Sequence, residues 1–269
     1  MPLPNPTSTK PVATSIGLLL WAILICLTIP APGHAQVAEI CANGIDDDGD
    51  TLIDCDDPDC NFPLFIDGSY GDSDSRTVAV GDLDGDSDLD AWVVNQGQQN
   101  TVWINQGGIQ GGTPGTFANN GQSLGSAEST GVALADLDQD GDLDAWVNNF
   151  NSFERIYLND GSGFFVDSGQ NVGASNSYGV DLGDLDGDGD IDAWVCNYFN
   201  QPNHVYINQG GLQGGLVGEF VLTHSLGNSQ SRDVVLKDLD GDTDLDAWVS
   251  NYDQPNRVWI NDGNGIFTN

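Results

Sequence analysis

The stretch GDLDGDGDIDAWV, from Gly183 to Val195, places an Asp at every second position: Asp184, Asp186, Asp188, Asp190 and Asp192. The same ladder begins again at Asp82, Asp136 and Asp238, so successive copies stand 54, 48 and 54 residues apart. Behind the ladders come DAWVVN, DAWVNN, DAWVCN and DAWVSN, and after these TVWIN, RIYLN, HVYIN and RVWIN. The irregular period has a local cause. The linkers QGGIQGGTPGTF and QGGLQGGLVGEF in copies one and three are six residues longer than DGSGFF and DGNGIF in copies two and four. A chain that repeats one unit four times is built by stacking supersecondary elements, not around one irregular core.

Each unit reads as four short strands. Val78 and Val80 alternate with polar positions, AWVV and VWI follow, and Asn, Gly and Asp bound each run. No segment after Gln36 carries a helical period over ten residues. A fourth strand starts near Phe117, Phe165 and Phe220, and Gly125, Gly173 and Gly227 each fall 11 residues before the next ladder. Four-stranded repeats of about 50 residues are propeller blades. The expected fold is therefore all-β: four four-stranded blades, in a closed ring or an open arc. Trp92, Trp146, Trp194 and Trp248 recur on the second strand and are expected to pack between blades, with a sugar-binding face as the alternative.

The ladder itself has a chemical reading. Carboxylates about 4–6 Å apart repel by about 3–4 kcal/mol per pair at an effective dielectric near 20. A divalent cation converts that repulsion into binding. A nine-residue loop with oxygens at positions 1, 3, 5 and 9 and the carbonyl of position 7 wraps a hard cation, as alternation does in the EF-hand loop. Calcium fits better than magnesium, which holds to octahedral geometry and its own water. Zinc is disfavoured because the ladders contain no His or Cys. At position 2 Leu83, Leu137, Leu185 and Leu239, and at position 8 Leu89, Leu143, Ile191 and Leu245, are expected to pin the loop to the sheet. Position 6 separates the copies: Gly141 and Gly189 accept positive φ freely, whereas Ser87 and Thr243 would be strained there.

Composition narrows the partners. The chain carries 41 Asp plus Glu against six Lys plus Arg, a formal net charge of −35. Nucleic acid and anionic membranes need basic residues that are missing here. Seven Trp, six Tyr and ten Phe separate it from disordered acidic chains. Residues 1–35 read as a signal peptide: Lys10, the apolar SIGLLLWAILICLTI, and GHA before Gln36. That apolar run is shorter than the ~20 residues of a spanning helix, and no membrane insertion is expected after its removal. The mature chain is expected to be secreted or cell-surface, or to reside in a periplasm.

DLDGDGDIDAWV and its three sister ladders, followed by NDGSGFF and NDGNGIF, resemble the FG-GAP or VCBS-type repeats of integrin α-subunit-like β-propellers. The resemblance covers residues 61–269 and implies a calcium loop between the first two strands of each blade. The ligands would be Asp82, Asp84, Asp86, Asp88 and Asp90; Asp136, Asp138, Asp140, Asp142 and Asp144; Asp184, Asp186, Asp188, Asp190 and Asp192; and Asp238, Asp240, Asp242, Asp244 and Asp246. The family takes only a main-chain oxygen from position 7, which puts the side chains of Asp88, Asp142, Asp190 and Asp244 in an outer shell. Such propellers usually have seven blades, and four repeats are present here.

Residues 36–60 form a separate segment. EICANGIDDDGDTLIDCDDPDC holds three Cys and eight Asp and resembles an Asp/Cys-rich motif at the start of many bacterial exported proteins. Asp46, Asp48, Asp50 and Asp54 are candidates for a fifth calcium. Outside the cytoplasm Cys41 would join Cys55 or Cys60, leaving one thiol over. The alternative is a flexible acidic linker. Cys196 is expected as a buried free thiol.

Catalytic constellations are scarce. His204 and His224 lie near no triad or zinc pattern, and His204 is expected at the surface. The favoured function is a secreted, calcium-stabilised adhesion or recognition module for an extracellular protein or glycan. The alternative is an accessory or catalytic domain of a polysaccharide-degrading, lyase-like protein. Asn61–Gly71 is expected to act as an outermost strand, with Phe62 to Tyr70 beside Val258 to Ile260 closing the ring; the rival is an open arc that forms a homodimer.

Overall fold

The strands predicted from alternation form in all four repeats. In a computed structural model, residues 69–269 are described; they belong to one unit, Phe65–Asn269. The signal peptide expected at 1–35, and Asp46, Asp48, Asp50, Asp54, Cys41, Cys55 and Cys60, lie outside the described residues. The first repeat contains β1 (Ser75–Gly81), β2 (Asp90–Asn95), β3 (Thr101–Asn105) and β4 (Phe117–Asn119). The second contains β5 (Ser129–Ala135), β6 (Asp144–Asn159) and β7 (Phe165–Asp167). The third contains β8 (Val172–Gly183), β9 (Asp192–Asn197), β10 (Gln201–Asn208) and β11 (Phe220–Ser229). The fourth contains β12 (Ser231–Lys237), β13 (Asp246–Asn251), β14 (Arg257–Asn261) and β15 (Phe267–Thr268).

Every strand pairing is antiparallel, and in each repeat the ladder is the loop between the first two strands. Val80 pairs with Ala91, Leu134 with Ala145, Leu182 with Ala193 and Leu236 with Ala247. The sheets do not divide into four separate blades, however. β1 to β4 and β12 to β15 are four-stranded sheets in sequence order, but the middle repeats share one seven-stranded sheet. The cause is an overlap. β6 spans both the second and third strand segments of its repeat, and β8 starts early enough to pair Val172 with Glu154 and Asn176 with Phe150. The first junction has the same connection as two isolated bridges, Gln96–Glu128 and Asn100–Leu124.

Packing runs in one direction along the chain. Trp92 on β2 meets Tyr157 and Phe165 of the second repeat, with ring centroids 5.3 and 4.5 Å away. Trp146 meets Tyr206 and Phe220 at 5.5 and 5.0 Å, and Trp194 meets Trp259 and Phe267 at 6.3 and 4.7 Å. Each of the three cores thus straddles two repeats. Edge-to-face aromatic pairs add about 0.5–1.5 kcal/mol to the burial itself. The glycines 11 residues before each ladder thread this junction at φ of 67°, 60° and 70° for Gly125, Gly173 and Gly227. A Cβ at Gly125 would fall 2.7 Å from the Tyr157 hydroxyl.

The direction of packing corrects three expectations. Trp248 is 51% exposed, because no described repeat follows to cover it. Leu239 at position 2 is 42% exposed for the same reason. Position 8 is covered from the preceding repeat: Leu143 packs against Gly81 and Leu245 against Gly183, so Leu89 of the first repeat is 58% exposed. Ring closure through the leading segment finds no support either. Residues 62–68 lie outside the described residues, and Tyr70 sits 5.6 Å from Trp103 and 5.5 Å from Phe117, on the first repeat and not on the last. There it takes the place a preceding repeat's Trp takes elsewhere. Among the described residues no sheet joins the first repeat to the fourth. His204, expected at the surface, is a half-buried residue of β10, with Nδ1 3.0 Å from the Tyr206 hydroxyl. Cys196 is a fully buried free thiol, as expected.

Candidate metal centre

Each ladder is held open by its own backbone. The position-1 carboxylates accept N–H bonds from positions 4 to 6: Asp82 from Gly85, Asp86 and Ser87 at 2.8, 3.1 and 2.9 Å. Asp184 does the same with Gly187, Asp188 and Gly189 at 2.7, 3.2 and 3.0 Å. Position 9 is fully buried and clamps the ladder to the sheet. Asp192 accepts from Leu185 N and Asn208 N, both at 2.8 Å, and Asp144 from Leu137 N and Asn159 N at 2.9 and 2.8 Å. Asp90 and Asp246 repeat the clamp. The following repeat then ties in: the side-chain amides of Asn159, Asn208 and Asn261 donate to the carbonyls of Leu83, Leu137 and Leu185 at 2.8, 3.0 and 2.7 Å.

These bonds bring together three carboxylates per loop whose oxygens lie within 4.8 Å of one another. The groups are Asp82, Asp84 and Asp86; Asp136, Asp138 and Asp144; Asp184, Asp186 and Asp192; and Asp238, Asp240 and Asp246. Position 3 is the informative member. Oδ1 of Asp84, Asp138 and Asp186 is buried with no hydrogen-bond partner. A buried carboxylate oxygen without a donor costs several kcal/mol unless a cation meets it. All donors in the four groups are oxygens, the ligand set of calcium, and each group could hold such an ion.

The remaining ladder positions divide. Position 5 joins the first group through Asp86; in every copy its Oδ1 also accepts the position-7 N–H, at 2.8 to 3.0 Å in Asp86, Asp140, Asp188 and Asp242. The side chains at position 7 lie in none of the four groups. Asp88, Asp142, Asp190 and Asp244 face Gly107, Gly161, Gly210 and Gly263 in the linkers, where a Cβ would collide with them. In copies one and three the long linker folds over the ladder as a 3-10 turn, Gly108–Gln110 and Gly211–Gln213. Ile109 N and Leu212 N donate to Asp86 and Asp188 at 3.1 and 3.0 Å, and the Gln110 and Gln213 amides reach Asp84 and Asp186. The six extra residues of the long linkers thus cover two of the loops.

Electrostatics agree with this geometry. Burial, followed by the charges of Asp90, Asp86 and Asp82, pushes the Asp84 carboxyl up to about 6. Burial raises Asp144 and Asp192 to about 7 despite the two N–H donors on each. Carboxyls held this high favour a proton over bare charge, and a cation can take the proton's place.

Backbone strain ranks the copies differently from sequence reasoning. Position 6 is left-handed throughout: Ser87 75°, Gly141 100°, Gly189 93° and Thr243 84°. Position 4 is left-handed too, with Gly85 at 77°, Gly187 at 79°, Gly241 at 90° and Gln139 at 63°. Only the third ladder has Gly at both. Gln139 is the missed residue, and its signal was DLDQD where the other copies read DLDGD or DLDGDG. Left-handed geometry costs a non-Gly residue about 1–2 kcal/mol. Gln139→Gly and Thr243→Gly are expected to raise stability by about 1 kcal/mol each, and Gly189→Ala to lower it, read from denaturant midpoints. Unchanged midpoints in all three would refute the ranking.

A second buried acid escaped notice. Where the other repeats have Asn100, Asn203 and Asn256, whose Oδ1 accepts an N–H from Asn95, Asn197 and Asn251, the second has Glu154. Its side chain is fully buried, Ser177 Oγ donates to Oε1, and Oε2 has no partner. Burial pushes it up to about 7. A carboxyl raised in the fold stabilises below its unfolded value near 4.5 and loses that contribution as pH rises through about 7. Glu154→Gln is expected to remove roughly 3 kcal/mol of that slope, measured as stability at pH 4.5 against pH 8. A slope equal to wild type would show that Glu154 does not titrate in this window.

The comparison with known families meets the same residues. FG-GAP-like repeats match at 82–147 and 184–249, each match running from one ladder through the next. No curated protein matches the chain. Among the described residues no helix is long and apolar enough to cross a membrane. With its ladders, strands and matched segments in phase, the chain carries two FG-GAP-like repeat matches, each spanning two ladders.

Proposed function

We propose that this is an exported, calcium-stabilised module that recognises an extracellular protein or glycan, with one ion in each ladder. The observation that carries the calcium reading is the orphaned Oδ1 of Asp84, Asp138 and Asp186. Each oxygen sits among all-oxygen donors on a backbone that points its N–H groups at neighbouring carboxylates. The ion's work is structural: it joins a ladder to the sheet and so sets the loops that border the next repeat. Asp88, Asp142, Asp190 and Asp244 act outside the ligand shell. On this reading Cys41 would pair with Cys55 or Cys60 beside a fifth acidic site. Calorimetric titration of calcium-stripped protein should give about four exothermic or entropic sites, with magnesium a poor competitor. A glycan array run beside a polysaccharide-cleavage assay separates recognition from the alternative, a domain of a lyase-like protein; turnover would favour the latter.

One observation bears on assembly. Leu89 is exposed at one end, where its internal counterparts are half-buried, and Leu239 and Trp248 are exposed at the other, where theirs are buried at all three internal junctions. We infer that Trp248 docks on Trp103 and Phe117 of a second copy, displacing Tyr70. Sedimentation is expected to give a dimer that Trp248→Ala dissociates; a wild-type monomer would overturn this.

A further inference from the structure

The residues six positions before each ladder are Arg76, Thr130, Tyr178 and Arg232. All four border one cavity of about 540 Å³ reached by β1, β5, β8 and β12. That volume is within the range of small-ligand sites, roughly 300–1,000 Å³. The chain has only six basic residues against 41 acidic ones, yet two of the six meet here.

Arg232 is unusually placed. Its guanidinium carbon lies 4.3 Å from the ring centroid of Tyr178, 4.2 Å from that of Tyr198 and 5.4 Å from that of Tyr252. Stacking occupies the flat faces of a guanidinium and leaves the in-plane N–H donors unspent. Among the described residues the ion pairs are Arg76–Asp74 and Arg155–Asp167, so no carboxylate pairs with Arg232. A cation held by aromatic rings, with its donors free at a cavity wall, is arranged for a planar anion. Phe150 stands edge-to-face with Tyr178 at 6.0 Å and supplies an apolar wall. Gln96 offers an amide, and Thr130, whose hydroxyl already donates to Ser177 O, offers an acceptor.

We propose that this cavity binds a uronic-acid residue of a glycan, with its carboxylate on Arg232 and Arg76 and its ring against Phe150 and Tyr178. The charge inventory selects the class. Asp233 also lines the cavity, and Asp74 stands 3.8 Å from Arg76, so one negative charge is tolerated where a polyphosphate would be repelled. Bidentate capture of a carboxylate uses the fork of arginine, and a sugar presents an apolar ring face to aromatics while its hydroxyls need donors and acceptors. The inference rests on the reading of the chain as a recognition module and does not depend on the ladders beyond their holding the loops in place.

The test uses the calcium-loaded full chain, titrated calorimetrically with an oligouronide, with its methyl ester, and with an acidic peptide. The oligouronide should bind, the ester at least ten-fold more weakly. Arg232→Gln should lose ten-fold or more, and Arg76→Gln several-fold. Arg232→Lys keeps the charge but neither the planar stack nor the fork, and should fall between. Calcium-dependent melting of each variant shows that it folds. Equal binding of oligouronide and ester, or affinity indifferent to Arg232, would overturn the proposal while leaving glycan recognition standing. Tighter binding of the peptide would overturn the sugar assignment, and no binding by any of the three would reject the cavity as a ligand site.

Discussion

Chelation with EDTA is expected to lower the melting temperature of the folded chain by roughly 20–40 °C. Each ion that binds only the native state adds about 2.7 kcal/mol at 100 times its dissociation constant. A domain of about 200 residues moves by roughly 2–4 °C per kcal/mol, so each of four ladders is worth roughly 5–10 °C. Magnesium should restore little, because a ladder that presents three clustered carboxylates and backbone oxygens suits a larger, less strictly octahedral ion. A melting curve that ignores EDTA would end the calcium reading.

Two carboxylates of one ladder should respond to calcium in opposite ways. Asp192 accepts two main-chain N–H bonds in a fully buried position, so Asp192→Ala strands both donors. Its expected cost is about 3–5 kcal/mol, and it should persist in EDTA. Asp186 has an oxygen without a donor and is raised by burial and by the charges of Asp188 and Asp184. Asp186→Asn relieves that repulsion. It should therefore leave the stripped protein as stable as before, or more so, while abolishing one bound ion in calcium. Equal losses in both conditions for both variants would mean that position 3 is a structural residue and not a ligand.

Much of this was legible because it is local. Alternation of apolar side chains marked β1, β2 and β3, and the phase of the Asp ladders placed them all in the same turn. The Trp on the second strand, read as packing between repeats, does so at Trp92, Trp146 and Trp194. What escaped depends on contacts across the chain. No spacing rule says that Asp192 is consumed by Leu185 and by Asn208, 16 residues on, whereas one oxygen of Asp186 is left without a donor. The exposure of Trp248 could not follow from its own DAWVSN, which matches its buried counterparts almost letter for letter. Gln139 and Glu154 were visible as departures from the repeat, but only the backbone angle of the one and the burial of the other give those departures meaning.

The forward lean of the tryptophans decides what the unit of cooperativity is. Since each core is shared by two repeats, an excised single repeat owns none, and a run of four owns three. Stability then accrues by junctions, as in a one-dimensional chain of coupled neighbours. Cutting after the third repeat would strip the cover from Trp194, leaving the first two junctions intact. Unfolding should therefore begin at an end and travel inward, one junction at a time, whenever an ion fails to hold the outermost ladder.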